Sequence, residues 1–334
     1  MTQIIRPATP ADIPRMTDLL MLDAAERQAV DPVLWKIARD APQQIKTALT
    51  GALSDAQQPF RQIWQVAESG DRITGVAHSM LLPVPPVYVG AKGDPGLILP
   101  DCFVAPGASE ETAAALVDAA EKALQEAGAE IILASFVPAG GWRDVFEGAG
   151  YDPLTLYLSS TGLTDTEMPP GVRSATPADV PGIVSRSAEN RQVLSEIDPF
   201  WEVHPEADTR FSGWMTRSLT LSDRDMMVTG PAEIPDGYVI AQPASRLHFP
   251  PAHDTGATGV IDDWYHTGLA DAALPGSGGD GALALLRAAE AAFARRGRDA
   301  AFVVCPAGWY SRRVLLEDAG YRTAMIWSAK RRRP

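Results

Sequence analysis

Cysteine is nearly absent: Cys102 and Cys305 are the only two in the chain. Two cysteines cannot build a disulfide framework or a four-cysteine zinc site. Both lie in apolar runs, as buried free thiols do, and the expected setting is a reducing cytoplasm. The five histidines (78, 204, 248, 253 and 266) show no metal-binding spacing such as His-x-x-x-His, so no metal site is expected. No uncharged apolar stretch of about 18 residues occurs, which argues against a membrane-spanning helix. The first residues, MTQIIRPATPADIPRM, lack the apolar core of a signal peptide. Positive charge is also scarce. A net charge of −13 argues against a broad surface for nucleic acid or anionic membrane. The one basic run, Lys330-Arg331-Arg332-Arg333, reads as a solvated tail. An acidic surface suits a cationic substrate such as an amine, and it is also an ordinary route to solubility.

What is present is a globular composition, 46% hydrophobic and 21% charged, over 334 residues. That leaves room for roughly two domains of about 150 residues. The sequence repeats itself. Residues 4–14 read IIRPATPADIP and residues 171–181 read GVRSATPADVP. Asp31-Pro32 and Asp198-Pro199 recur at the same separation, each followed by an aromatic segment. Late in each half come Pro138-Ala139-Gly140-Gly141-Trp142 and Pro306-Ala307-Gly308-Trp309, then Ala-Gly-Tyr at 149–151 and 319–321. The stretch 161–171 is turn-rich and nonperiodic, so the expected division is a domain over 1–160, a linker over 161–171 and a domain over 172–334.

Within the first copy, a strand is expected over 3–6. Thr9 caps a helix that has Pro10 in its first turn. A second helical stretch covers 33–53, strands follow at 62–67, 73–82 and 97–104, then a helix at 110–126, a buried strand at 131–136, a short helix at 142–148 and a last strand after Tyr151. The second copy repeats this order. Three consecutive strands read as an antiparallel meander, and the later strand–helix–strand unit as a parallel crossover. The fold class is therefore α/β (α+β): in each copy, a mixed, mostly antiparallel sheet with helices on both faces.

This order, with its "ATPADIP" opening and late "AGY", resembles the GNAT superfamily of acyl-CoA-dependent N-acyltransferases, once per copy and over essentially the whole chain. The resemblance implies two tandem GNAT-like domains, acetyl-CoA or another acyl-CoA as cosubstrate, and a small-molecule amine or peptide as acceptor. It implies no nucleic acid or membrane partner, and a monomer or homodimer. The family's signature, [Gln/Arg]-x-x-Gly-x-[Gly/Ala], lies between its fourth strand and third helix, where backbone N–H groups hold the CoA pyrophosphate. In copy one the stretch is Ala108-Ser109-Glu110-Glu111-Thr112-Ala113, with glutamate in the glycine's place. Carboxylates there repel a pyrophosphate, so copy one reads as degenerate for CoA. In copy two it is Ser277-Gly278-Gly279-Asp280-Gly281-Ala282: glycines are kept, Ser277 replaces Gln/Arg, and Asp280 either caps the helix or faces the pyrophosphate. Gly276-x-Gly278-x-x-Gly281 also matches a dinucleotide fingerprint, but the next strand ends Val304-Cys305-Pro306 without the acid that pattern needs.

The family's usual tyrosine acid is absent, since Phe146 and Leu316 hold its places. Tyr310 is the nearest hydroxyl in copy two and the candidate acid, and Asp262 or His266 the candidate base. Tyr265, His266, Thr267, the loop 277–282, Arg312 and Arg313 are the candidate CoA contacts, and Glu196, Asp198 and His204 the candidate acceptor contacts. For each, an ordinary packing or surface role is the competing reading. Two functions follow: an acyl-CoA-dependent N-acyltransferase working directly in copy two, or a catalytically inactive GNAT-like protein that binds a ligand or partner.

Overall fold

The computed structural model describes residues 3–54, 60–231, 233–274 and 279–330. The repeated opening word is a local lock. In the first half Arg6 makes a two-pronged pair with Asp12 at 2.8 and 2.9 Å, and Asp12 also accepts from the N–H and hydroxyl of Thr9. Arg173, Asp179 and Thr176 repeat it in the second half. This capping box turns β1 (Gln3–Pro7) into α1 (Ile13–Val30), and β8 (Val172–Ser174) into α5 (Val180–Ile197). The word Ala-Gly-Tyr has an equally local cause: Gly150 and Gly320, at φ 87° and 93°, end a helix in the left-handed region that favours glycine.

The rest of the first half is α2 (Ala41–Leu53), β2 (Gln62–Ser69), β3 (Arg72–Leu81), β4 (Pro95–Ile98), β5 (Phe103–Val104), α3 (Thr112–Glu126), β6 (Ile131–Phe136), α4 (Trp142–Gly148) and β7 (Tyr151–Thr161). The second half continues with α6 (Ala207–Ser218), β9 (Asp225–Thr229), β10 (Gly237–Pro243), β11 (Thr258–Ile261), β12 (Trp264–His266), α7 (Gly279–Arg295), β13 (Ala300–Pro306), α8 (Tyr310–Asp318) and β14 (Arg322–Lys330). Three elements differ from the sequence expectation. The helix expected over 33–53 starts only at Ala41, because the Asp31 carboxylate accepts from the N–H groups of Val33 and Leu34 and holds a turn there. The strand expected over 97–104 is broken: Ala77 and His78 of β3 face four residues, 99–102, which bulge away from the ladder. The corresponding strand of the second copy is broken as well, at 262–263, between Thr258–Ile261 and Trp264–His266.

All strands join one mixed sheet, in the order β1-β2-β3-β4-β6-β14-β7-β13-β11-β10-β9-β8, with β5 and β12 branching off β3 and β10. The centre of this order is an exchange. Strand β14, from the end of the chain, lies between β6 and β7 of the first half. Strand β7 in turn lies between β13 and β14 of the second. Loops are exchanged as well. Residues 83–94 pair with the second half through Tyr88 and Val203, and residues 244–257 pair with the first through His253 and Ile37. Among the described residues, no helix is long and apolar enough to cross a membrane, and no group of three or more His, Cys, Asp or Glu side chains is placed to hold a metal ion.

Candidate functional site

Each half contains one place where parallel neighbours part. Strands β4 and β6 pair from Pro95–Ile131 to Ile98–Ala134 and then diverge at the 99–102 bulge. Strands β11 and β13 pair from Thr258–Ala300 to Ile261–Val303 and diverge at Asp262-Asp263. A cleft opens between the parting strands in both halves, flanked by the first helix on one face of the sheet and by the late helices on the other.

In the second half that cleft is filled by the chain itself. Arg312, 3% exposed, donates to the Trp264 carbonyl at 2.6 Å and to the Asn190 side chain of α5 at 2.9 Å. Its guanidinium stacks 3.8 Å above the ring of Trp309, which is fully buried and whose indole N–H donates to the Leu269 carbonyl. Burial lowers the Arg312 pKa from its ordinary value. Gly281 and His266 do meet, but in packing: a Cβ on residue 281 would lie 2.2 Å from the imidazole Nε2. The His266 Nδ1 accepts from the Gly268 N–H.

The other residues singled out from sequence are scattered around this core. Tyr265 donates its hydroxyl to Glu189, and Thr267 is exposed. Asp262 lies exposed at the bulge and accepts from Gln242 at 2.7 Å. Tyr310 is 43% exposed, with Arg313 beside its ring. Asp280 is exposed at the start of α7, next to Gly279 and before the buried Ala282. Glu196 is exposed and accepts from Gln192, while Asp198 caps the Phe200 N–H and His204 accepts from the Glu206 N–H. Ser277 and Gly278 lie outside the described residues.

The first half is open. A cavity of about 910 Å³ runs through its cleft, from Asp23, Glu26 and Arg27 on α1 past the bulge to Glu110, Trp142 and Asp144. A second, of about 690 Å³, shares Leu99 and Pro100 as its wall and lies among α2, the meander and residues 245–251 of the other half. On the floor of the second sits a buried pair, His78 Nδ1 to Asp101 at 2.9 Å. The imidazole stacks on Trp64 at 3.9 Å, and its Nε2 lies 3.1 Å from the Gln62 side-chain oxygen. Burial pushes the Asp101 carboxyl up, but His78 and then Arg27 more than offset it, and the net shift is downward.

Between the two cavities runs a buried chain, Asp23–Arg27–His253, that ties the halves together. Arg27 Nε donates to His253 Nε2 and the His253 Nδ1 lies 2.9 Å from the Trp35 carbonyl, which fixes a neutral tautomer; burial and the Arg27 charge lower its pKa to about 3. None of these residues carries a motif. His78 and Asp101 are 23 positions apart, and only the pairing of β3 with the bulged strand brings them together.

The architecture has counterparts among solved structures. A GCN5-related N-acetyltransferase from Sphaerobacter thermophilus aligns over 99% of this chain and 96% of its own, at 17% identity and a TM-score of 0.55. The chain has the fold of the GCN5-related N-acetyltransferases. It carries that GNAT fold twice, since the two halves repeat one element order. A glucosamine N-acetyltransferase region of a fungal multi-domain GH3 β-N-acetylglucosaminidase aligns over 98% of this chain and 38% of that one, at 14% identity and a TM-score of 0.53. A tandem GNAT protein from the clavulanic acid biosynthesis pathway aligns over 98% of both chains, at 15% identity and a TM-score of 0.49. No protein-family model and no curated protein sequence matches the chain.

A GNAT fold implies acyl-CoA, and among the described residues neither cleft fits that group. In the second half, Trp309 and Arg312 occupy the space between the parting strands. In the first, the α3 N-terminus that would face a pyrophosphate carries Glu110 and Glu111. Of the residues lining that cavity only Arg27 is cationic, and its nitrogens already meet Asp23, the Pro100 carbonyl and His253.

Proposed function

We propose that the chain is a ligand-binding protein built on the GNAT fold, which holds a small molecule in its N-terminal half and transfers no acyl group from acetyl-CoA. One observation carries this reading: the cleft that keeps the glycines is filled, and the cleft that is open is lined by carboxylates. The sequence pointed to the C-terminal half for binding, whereas the open cavities favour the N-terminal half. Two buried free thiols suit a reducing compartment such as the cytoplasm.

A second reading, acetyl-CoA-dependent N-acyl transfer to a small-molecule or peptide amine, is favoured by a different observation. The His78–Asp101 pair lines the cavity beside the bulge, and an imidazole oriented by a carboxylate is a competent base for an attacking amine. A titration of the melting temperature with acetyl-CoA separates the two readings, because a ligand that binds only the folded state raises it. The expected result is no shift, and no free thiol released when acetyl-CoA and a mixture of primary amines are added. A dose-dependent shift with thiol release establishes the transferase instead.

A further inference from the structure

The 690 Å³ cavity is built from both halves of the chain: α2 and the meander of the first, residues 245–251 of the second. Leu99 and Pro100 separate it from the cleft between the parting strands. Its far wall is pinned. Arg246 donates to the carbonyls of Pro250 and His253 at 3.2 and 3.0 Å, and to the Gln44 side chain of α2 at 2.7 Å. His253 is itself held against the Trp35 carbonyl. Pro250 and Pro251, within the same stretch, have φ fixed by their rings. Hydrogen bonds across the halves and a stiff backbone thus hold the space open, which lowers the ordering cost of filling it.

The lining says what would fill it. Phe60 from the first half and Leu247 from the second are 40% and 36% exposed, and Met80, Leu99 and Phe249 are buried beside them. Large apolar side chains left in water gain by being covered. The charges on the wall are already met. Asp101 is engaged by His78, and Arg246 by the groups just named. Asp40 accepts from the Gln44 amide at the start of α2, where the helix dipole favours a carboxylate. An ionic ligand therefore finds no free counter-charge. One polar group is left over. The Gln62 side-chain oxygen lies against His78 Nε2, and the amide nitrogen of the same side chain has no hydrogen-bond partner among the described residues.

We propose that this cavity binds an uncharged, mainly apolar small molecule that carries a carbonyl or ether oxygen. The apolar body lies against Phe60 and Leu247, and the oxygen accepts from the Gln62 amide. Bound in this way the molecule touches both halves at once. The inference rests on the reading that the N-terminal half holds a small molecule, and it names the class of that molecule and its place.

A fluorescence titration of the full chain with prodan tests it. Prodan is an uncharged naphthyl ketone whose emission moves to the blue when it leaves water. Leu247→Asp puts a charge into the apolar wall from one half, and Phe60→Asp does so from the other. Leu274→Asp, at a residue 63% exposed and outside the cavity, is the control. Unliganded melting temperatures check that the variants fold. The wild type and the control are expected to bind prodan saturably with blue-shifted emission, and each cavity variant to bind it about tenfold more weakly. Gln62→Leu is expected to shift the emission of the bound probe further to the blue, because the ketone loses its hydrogen bond. No saturable binding, wild-type affinity in a folded cavity variant, equal weakening in the control, or unchanged emission in Gln62→Leu overturns the inference. Acetyl-CoA run in parallel keeps the two claims apart. A rise in melting temperature with acetyl-CoA removes the reading beneath, while silence from prodan removes only this ligand class.

Discussion

The two clefts are built from the same elements, and one is open where the other is filled. The late Pro-Ala-Gly word leads to Trp142 in the first half, half-buried at the edge of open space, and to Trp309 in the second, fully buried under Arg312. The bulge places an aspartate in the same spot in each. Asp101 faces an imidazole and its carboxyl is held below the usual range; Asp263 faces the Tyr238 phenol, and burial raises it. A repeated scaffold therefore does not imply a repeated site. Conversion of one cleft into core needs only a long cation that reaches across it.

The sharpest way to break this comparison is to unplug the filled cleft. Trp309→Ala is expected to destabilise the chain by about 3–5 kcal/mol, the range for a buried aromatic. Trp142→Ala is expected to cost no more than about 2 kcal/mol, because its surroundings are already open. Urea unfolding of both variants checks the pair, and equal losses would remove the distinction between open and filled.

A smaller effect separates the two aspartates. Asp101→Asn is expected to cost about 2–3 kcal/mol, since it takes a charge from a buried hydrogen-bonded pair. Asp263→Asn keeps an acceptor for Tyr238 and is expected to cost about 1 kcal/mol or less. Their pH dependence differs in sign. The lowered carboxyl of Asp101 contributes stability that is present above the ordinary carboxylate range and lost as the pH falls. The raised carboxyl of Asp263 contributes stability that is present below that range and lost as the pH rises through its folded value. Unfolding free energies of the wild type and both variants, measured from about pH 2 to about pH 8, show whether the slopes differ in this way.

The smallest expected contrast is none. Arg6 and then the Thr9 groups lower Asp12 to about 2, and Arg173 and Thr176 do the same to Asp179. Asp12→Asn and Asp179→Asn are each expected to cost about 1–2 kcal/mol at neutral pH. That stabilisation is complete above about pH 4 and is lost as the pH falls through 2. Losses that differ by more than the error of urea unfolding would show that the shared opening is not equivalent in the two halves.

What was legible in the sequence was what is local. Arg-x-Ala-Thr-Pro-Ala-Asp closes a capping box within seven residues, and Ala-Gly-Tyr ends a helix at a glycine with positive φ, so each word carries its own structural reason. The exchange of β7 and β14 left no trace, because alternation along a strand sets which face is buried and says nothing of which strand lies beside it. The cleft escaped for a related reason. Arg312 on a short helix reads as an exposed cation until the fold places it between β12 and α5, and Gly281, which suggested a phosphate loop, makes room for His266. Asp101 was visible as the counterpart of Asp263, but its partner His78 was not, since the two meet only through the ladder of β3.

The exchanged strands also set a timetable. The slot between β6 and β7 stays vacant until residues 322–330 are available, and those follow the rest of the second half in the chain. The first half therefore cannot complete its sheet until the second half has been made, although its helices and meander are already present. Two exposed strand edges wait through the synthesis of the entire second half, which is when pairing with another nascent chain competes most strongly with pairing within this one.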